Sequence, residues 1–229
     1  MKQFKHVVIT RYNLPVWSAE EKRFVCLYED KDAAKKWMKE RYELFKATRE
    51  SVLSQDVDFE WIIAFNEKTS DSDVNKIVTN DKMTAIKIDV PFQIEIEKYF
   101  KDLDIKEDFV ITTRLDNDDV YLNGALDSIQ QEFNPMLMVI DIEYNQYDLN
   151  TGKYYGSDRY TPTGPFISLV EPSNKVKTCY CRPHSNLAAG YPTNQGKIKV
   201  RPIRIETPSA LMVIHNNNVA NKIVGREIR

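Results

Sequence analysis

Along the first half of the chain, short continuous apolar runs alternate with segments whose apolar residues recur every three to four positions. The runs are "HVVITRY" (6–12), "DFEWIIAF" (58–65), "MTAIKIDV" (83–90) and "DFVITTRL" (108–115). Short, and rich in β-branched and aromatic residues, they predict buried strands. Residues 31–53 place Trp37, Arg41, Leu44, Phe45, Thr48 and Val52 at helical spacing. This predicts a long amphipathic helix with an aromatic stripe against the core and Arg41 snorkelling beside it. "NEKTSDSDVNKIV" predicts a turn and short helix capped by Asp71 or Ser72, and "FQIEIEKYFKDL" another helix. Strand–helix alternation of this kind predicts a parallel sheet covered by helices, with ligands gathering outside the carboxyl ends of its strands.

The second half has a different texture. "MLMVIDIEY" (136–144) is a strong strand signal, followed by text rich in Tyr, Pro, Asn, Gly and Thr. Short strand-like pieces punctuate it: "GPFISLVE", "VKTCYCR" and "KIKVRPIRIE". "ALMVIHNNNVANKI" (210–223) predicts a short strand, a polar turn and a tail. A mixed or antiparallel, loop-rich portion follows, and long loops inside a compact domain are often functional. No repeat or linker divides the chain. The expectation is one domain over 1–229, with a nucleotide-binding half at 1–120 and an acceptor-binding half at 121–229.

Composition narrows the picture. A formal net charge of −2 gives no electrostatic case for nucleic-acid binding. No apolar run approaches the roughly 20 residues that span a bilayer, and "MKQFKHVVITRY" is too short in apolar residues for a signal peptide. The expectation is a cytoplasmic protein with no transmembrane segment, meeting the inner membrane only peripherally through its substrate. Three cysteines, Cys26, Cys179 and Cys181, argue against a disulfide framework. Cys179 and Cys181 lack the further ligands a zinc site needs and are expected on one face of a buried strand.

The candidate chemistry lies in "RLDNDD", where Asp116, Asp118 and Asp119 fall within four positions at a strand's carboxyl end. Three carboxylates this close repel unless a cation or solvent attends them. An EF-hand loop starting at Asp116 fails, because its sixth position is Tyr121 and its twelfth Asp127, not Gly and Glu. Three readings stay open. The segment is a helix-capping turn; or a D-x-D-x-V phosphatase motif of haloacid-dehalogenase type with Asp116 as nucleophile; or a D-x-D that holds a divalent metal against a nucleotide diphosphate. Polar residues before the motif, and three strands ahead of it, weigh against the phosphatase.

"TTRLDNDD" resembles the corresponding segment of a rhamnosyltransferase family within the GT-A-fold glycosyltransferases. "HVVITRYN", "SQDVDFEWIIAFNEKTSD", "GPFISLVEPSNKVKTCYCRPHSN" and "ALMVIHNNNVAN" resemble further landmarks of that family, in the same order. The resemblance implies a GT-A-like α/β fold with a mixed, mostly parallel central sheet. It also implies transfer of a sugar, rhamnose among the candidates, from a nucleotide-diphosphate donor to a saccharide or lipid-linked saccharide acceptor in surface polysaccharide assembly. It assigns Asp116 to the donor ribose, Asp118 to a manganese or magnesium ion with Asp119 beside it, and His215 to completing that metal site. Thr10, Arg11 and Tyr12 would lie near the base and diphosphate. Arg114 pairs with the aspartates or with phosphate. Many relatives carry "DDGSTD" where this chain has "NEKTSD", so Asn66 and Glu67 stand where an Asp reads the base. A non-catalytic nucleotide- or carbohydrate-binding protein on the same scaffold is the alternative from another class.

An inverting transfer also needs a general base facing the acceptor. Glu171, closing "FISLVE", is the first candidate, His184 the second and Asp158 a distant third. Tyr144, Tyr147, Tyr154, Tyr155 and Tyr160 are expected in the intervening loops, as a sugar platform or a small packed core.

Overall fold

In a computed structural model of the chain, residues 3–18, 23–89, 91–156, 164–200, 202–216 and 222–228 are described. Asp158 and Tyr160 lie outside them. The first half contains β1 (Phe4–Arg11), the short pair β2 (Val16–Ser18) and β3 (Arg23–Val25), α1 (Lys31–Leu53), β4 (Glu60–Asn66), α2 (Asp71–Ile77), β5 (Met83–Ile88), α3 (Phe92–Asp102) and β6 (Phe109–Arg114). Then come β7 (Val120–Tyr121), α4 (Ala125–Gln131), β8 (Met138–Asp148), β9 (Lys153–Gly156), β10 (Ile167–Pro172), α5 (His184–Leu187), β11 (Tyr191–Thr193), β12 (Gly196–Ile198), β13 (Pro202–Ile214) and β14 (Glu227–Ile228).

One sheet joins both halves, in the order β14-β9-β8-β10-β6-β1-β4-β5. Strands β5, β4, β1 and β6 are parallel, as the alternating pattern predicts. β10 enters antiparallel between β6 and β8. β13 runs parallel to β8 with a register break between Ile205 and Ala210, then pairs antiparallel with β7. This is a mixed, mostly parallel α/β sheet, as the resemblance implies. Its strand order carries the end of β13 back to the residues that follow β6.

Period-two alternation divides the sheet's side chains between two apolar layers. Val8, Trp61, Ile63, Phe65 and Ile111 face α1, α2 and α4, while Val7, Ile9, Ile62, Ala64 and Val110 face α3 and α5. Each large apolar side chain so buried contributes about 1.5–3 kcal/mol relative to exposure. α1 packs Ala34, Met38, Arg41, Phe45, Thr48 and Val52 inward, and Asp30 caps it by accepting from Asp32 N and Ala33 N.

Several local expectations need correction. Ser70, not Asp71 or Ser72, caps α2, because its hydroxyl accepts from Asp73 N at 3.1 Å. Cys179 is buried and Cys181 half-buried, but neither is on a strand. That segment is a loop turned by Thr178 at φ 69° and tied to the sheet by Cys179 N donating to Thr112 Oγ1 at 2.9 Å. Tyr144 and Tyr147 lie on β8, and Tyr154 and Tyr155 on β9, not in loops. Tyr147 packs on Tyr154 with ring centroids 4.8 Å apart. "ALMVI" is the second part of the 13-residue β13 instead of a separate short strand.

Candidate functional site

The parallel strands deliver Arg11, Asn66 and Arg114 to one edge of the sheet, and the aspartates follow Arg114 directly. β13 ends beside them. Leu211 pairs with Val120 in register, so the next turn of chain brings Val213 and His215 against Asp119 and Asp118. His215 Nε2 lies 2.8 Å from Asp118 Oδ2. Two residues 97 apart in sequence therefore converge on one point, through the antiparallel pairing of β13 with β7.

The three carboxylates meet different neighbours. Asp116 is gripped through both oxygens by Arg114, at 2.9 Å from Nη2 to Oδ2 and 3.3 Å from Nε to Oδ1. Burial would raise its pKa, but Arg114 outweighs it, with Arg11 and His184 adding, and holds the carboxyl below the usual carboxylate range. Asp118 Oδ2 accepts from Arg41 Nη1 at 2.5 Å as well as meeting His215. Asp119 turns inward, 2% exposed, and its Oδ1 accepts from Val213 N at 3.0 Å. Burial, next to Asp118 and Asp116, pushes its carboxyl well above the usual range. Through that bond Asp119 pins the loop to β13.

Asn117, between them, ties the cluster to the end of β1. Its Nδ2 donates to the carbonyls of Tyr12, at 2.5 Å, and Arg11, at 3.2 Å. Its Oδ1 accepts from Arg41 Nη1 at 3.0 Å. Arg41 is the residue the helical pattern misread. Placed on the snorkelling edge by spacing, it is buried, lies over the Trp37 ring at 5.0 Å, and reaches inward to the aspartates. Only a cation on an inward-facing helical position hinted at this.

Arg11 and Arg114 share a third element. Their guanidinium carbons lie 5.5 and 5.4 Å from the Tyr180 ring centroid, a cation–π arrangement on both. Tyr180, in the loop after β10, is held by donating its hydroxyl to Ile9 O at 3.2 Å. The same loop leads to α5, whose first residue is His184.

Other expected nucleotide contacts are taken up by packing. Thr10 is fully buried and its Oγ1 accepts from Trp61 Nε1 at 3.0 Å. Tyr12 is buried against Phe45, Phe65 and Trp37. Asn66, 2% exposed, accepts at Oδ1 from Lys68 N, and its backbone N–H donates to Asn13 Oδ1. These three side chains are buried behind the edge.

Glu171 is the clearest departure. β10 is antiparallel, so its carboxyl end lies at the opposite edge of the sheet, level with Val110 and not with Arg114. Glu171 is 0% exposed there. It accepts from Lys177 N at 3.0 Å, Thr178 N at 2.9 Å and Tyr191 O–H at 2.6 Å. It anchors the loop that carries Tyr180 and His184.

A separate groove of about 710 Å³ lies between α1 and α2, away from the aspartates, with Lys31, Lys35, Lys39, Lys68 and Lys76 among its lining. No helix among the described residues is long and apolar enough to cross a membrane.

No curated protein matches the sequence. Among solved structures, residues 1–349 of S. aureus TarS align with 91% of this chain at a TM-score of 0.50 and 11% identity, which is a likeness of fold. The chain spans about 60% of that structure's length. A 4-diphosphocytidyl-2C-methyl-D-erythritol synthase from Anaerococcus prevotii DSM 20548 aligns over 89% of this chain and 88% of its own, at 12% identity and a TM-score of 0.46. The family model described as "Putative rhamnosyl transferase" matches residues 5–226, with the aspartate cluster, His184 and His215 all inside the match. The chain belongs to that rhamnosyl transferase family.

Proposed function

We propose that the protein transfers a sugar, rhamnose first among candidates, from a nucleotide-diphosphate donor to a saccharide acceptor, in surface polysaccharide assembly. The observation that carries this reading is the convergence at one sheet edge of Arg11, Arg114, Asp116, Asp118 and His215. Cationic side chains over an aromatic ring suit a diphosphate, and an ionised Asp116 suits a ribose hydroxyl.

A divalent cation fits this edge. Asp118 Oδ2 and His215 Nε2 are 2.8 Å apart; the carboxylate oxygen suits either manganese or magnesium, and the imidazole nitrogen favours manganese over the harder magnesium. Among the described residues no group of three or more His, Cys, Asp or Glu side chains is arranged to hold a metal. Donor phosphates and water would therefore complete the shell. When bound, the cation would neutralise charge on the departing diphosphate.

The chain's own residues do the rest. Arg114 fixes Asp116. Arg11 and Arg114, stacked on Tyr180, face the diphosphate. His184, at the start of α5 in the loop that Tyr180 ties to this edge, is the proton acceptor for the incoming hydroxyl, and Glu171 holds its loop in place. The test is a screen of nucleotide sugars for donor hydrolysis and for transfer to saccharide and lipid-linked saccharide acceptors. Turnover of one donor, abolished in Asp118→Asn, is expected. Turnover of simple phosphate esters with none of any nucleotide sugar would overturn the reading in favour of a phosphatase.

A further inference from the structure

Arg41 is a third cation at the aspartate cluster. It comes from α1, far in sequence from the other two. It is 8% exposed, lies against Trp37, and bridges Asn117 Oδ1 at 3.0 Å and Asp118 Oδ2 at 2.5 Å. The oxygen it holds is the same one that meets His215. A cation ligated by that oxygen would sit about 2.0–2.6 Å from it. Two positive centres bonded to one oxygen atom lie within about 5 Å of each other, where charges in a partly buried setting interact strongly.

We propose that Arg41 is the resident counter-ion of Asp118 and is set in opposition to a divalent cation at Asp118 and His215. The inference rests on the reading of those two residues as cation ligands. In the cation-free protein, Arg41 shares the half-buried Asp118 carboxylate with His215, and its second bond to Asn117 keeps the loop in position. When a cation binds, Arg41 either yields its bond to Asp118 or remains beside a like charge, and both weaken cation binding. The two ions are therefore coupled unfavourably through one oxygen, and by linkage each weakens the other. The arrangement fits a site that holds its cation firmly only when donor phosphates bring further negative charge.

The test is titration of the full chain with Mn²⁺ in the absence of nucleotide, reading free Mn²⁺ by electron paramagnetic resonance. Arg41→Gln removes the charge but keeps a donor for Asn117 or Asp118, and is expected to bind Mn²⁺ at least about tenfold more tightly than wild type. Arg41→Lys keeps the charge and is expected to stay within a few-fold of wild type. Should Arg41→Gln fail to fold, Arg41→Met, which replaces the buried side chain by an apolar one of similar length, takes its place. Equal or weaker Mn²⁺ binding in the neutral variants overturns the proposal. Asp118→Asn separates it from the site assignment. If Asp118→Asn abolishes binding while Arg41→Gln weakens it, the cation site stands and the opposition fails. If Asp118→Asn leaves Mn²⁺ binding unchanged, or if no variant binds Mn²⁺, the assignment of Asp118 fails and the proposal with it.

Discussion

Glu171→Gln separates a general base from a buried anchor. The carboxylate takes three donors: Lys177 N and Tyr191 O–H on Oε1, and Thr178 N on Oε2. A glutamine offers a carbonyl on one side and an N–H₂ on the other, so at least one buried donor loses its acceptor. That costs about 1–3 kcal/mol, or on the order of 2–10 °C in melting temperature for a chain of this size. The pH dependence adds a signature. Burial pushes the Glu171 carboxyl from its ordinary 4.5 up to about 7, against the opposing hydrogen bonds from Tyr191, Lys177 and Thr178. The folded state therefore keeps a proton that the unfolded chain releases between those values. The associated stability is fully present below pH 4.5 and lost as pH rises through 7. Wild type should be most stable relative to Glu171→Gln near pH 5, and the gap should shrink by pH 8, as measured by thermal melts of both proteins across that range. At a temperature where both are folded, donor turnover should agree within about threefold. Loss of a general base would instead cost about 10²–10⁴-fold. Undiminished stability with collapsed turnover would refute the anchoring role and restore Glu171 to catalysis.

Three further outcomes follow from the same geometry. His184→Gln should lower transfer by about 10²–10⁴-fold while leaving nucleoside diphosphate affinity near wild type, checked by turnover and calorimetry side by side; unchanged turnover would remove it as the proton acceptor. Asp119→Asn keeps an oxygen for Val213 N–H and should melt within a few degrees of wild type with donor affinity intact, whereas Asp119→Ala should lose about 1–3 kcal/mol; loss of binding in a folded Asp119→Asn would return Asp119 to the ligand shell. Ser70→Ala removes the α2 cap and should cost about 1 kcal/mol in denaturant unfolding with no change in activity.

The parallel half of the fold was legible because its central strands β1, β4 and β6 are buried on both faces. Such strands read as unbroken apolar runs, and the helices between them carry the 3.6 period. The edge holding Asp116 and Asp118 followed from the same alternation. The second half was harder for a physical reason: strand direction is not written in local pattern. "FISLVE" reads the same whether it ends at the site or at the far edge, and only the antiparallel pairing of β10 with β6 sends Glu171 away. "VKTCYCR" alternates like a strand, yet its backbone bonds go to side chains of Glu171 and Thr112, which fixes it as a loop. Thr10, Tyr12 and Asn66 sit at the right edge, but their side chains turn inward, and sequence position alone does not give that direction. Arg41 was hidden most completely, since its partners lie 76 and 77 residues away.

The central claim is that the loop after β6 holds the nucleotide diphosphate of a sugar donor. The direct measurement is the melting temperature of wild type and Asp116→Asn with a panel of nucleoside diphosphates, with and without Mn²⁺. One nucleotide at about 100 times its Kd should stabilise wild type by about 2.7 kcal/mol, a rise of roughly 5–10 °C. That rise should be larger with Mn²⁺ and largely lost in Asp116→Asn. No shift with any nucleotide, or the same shift in both proteins, would contradict the account.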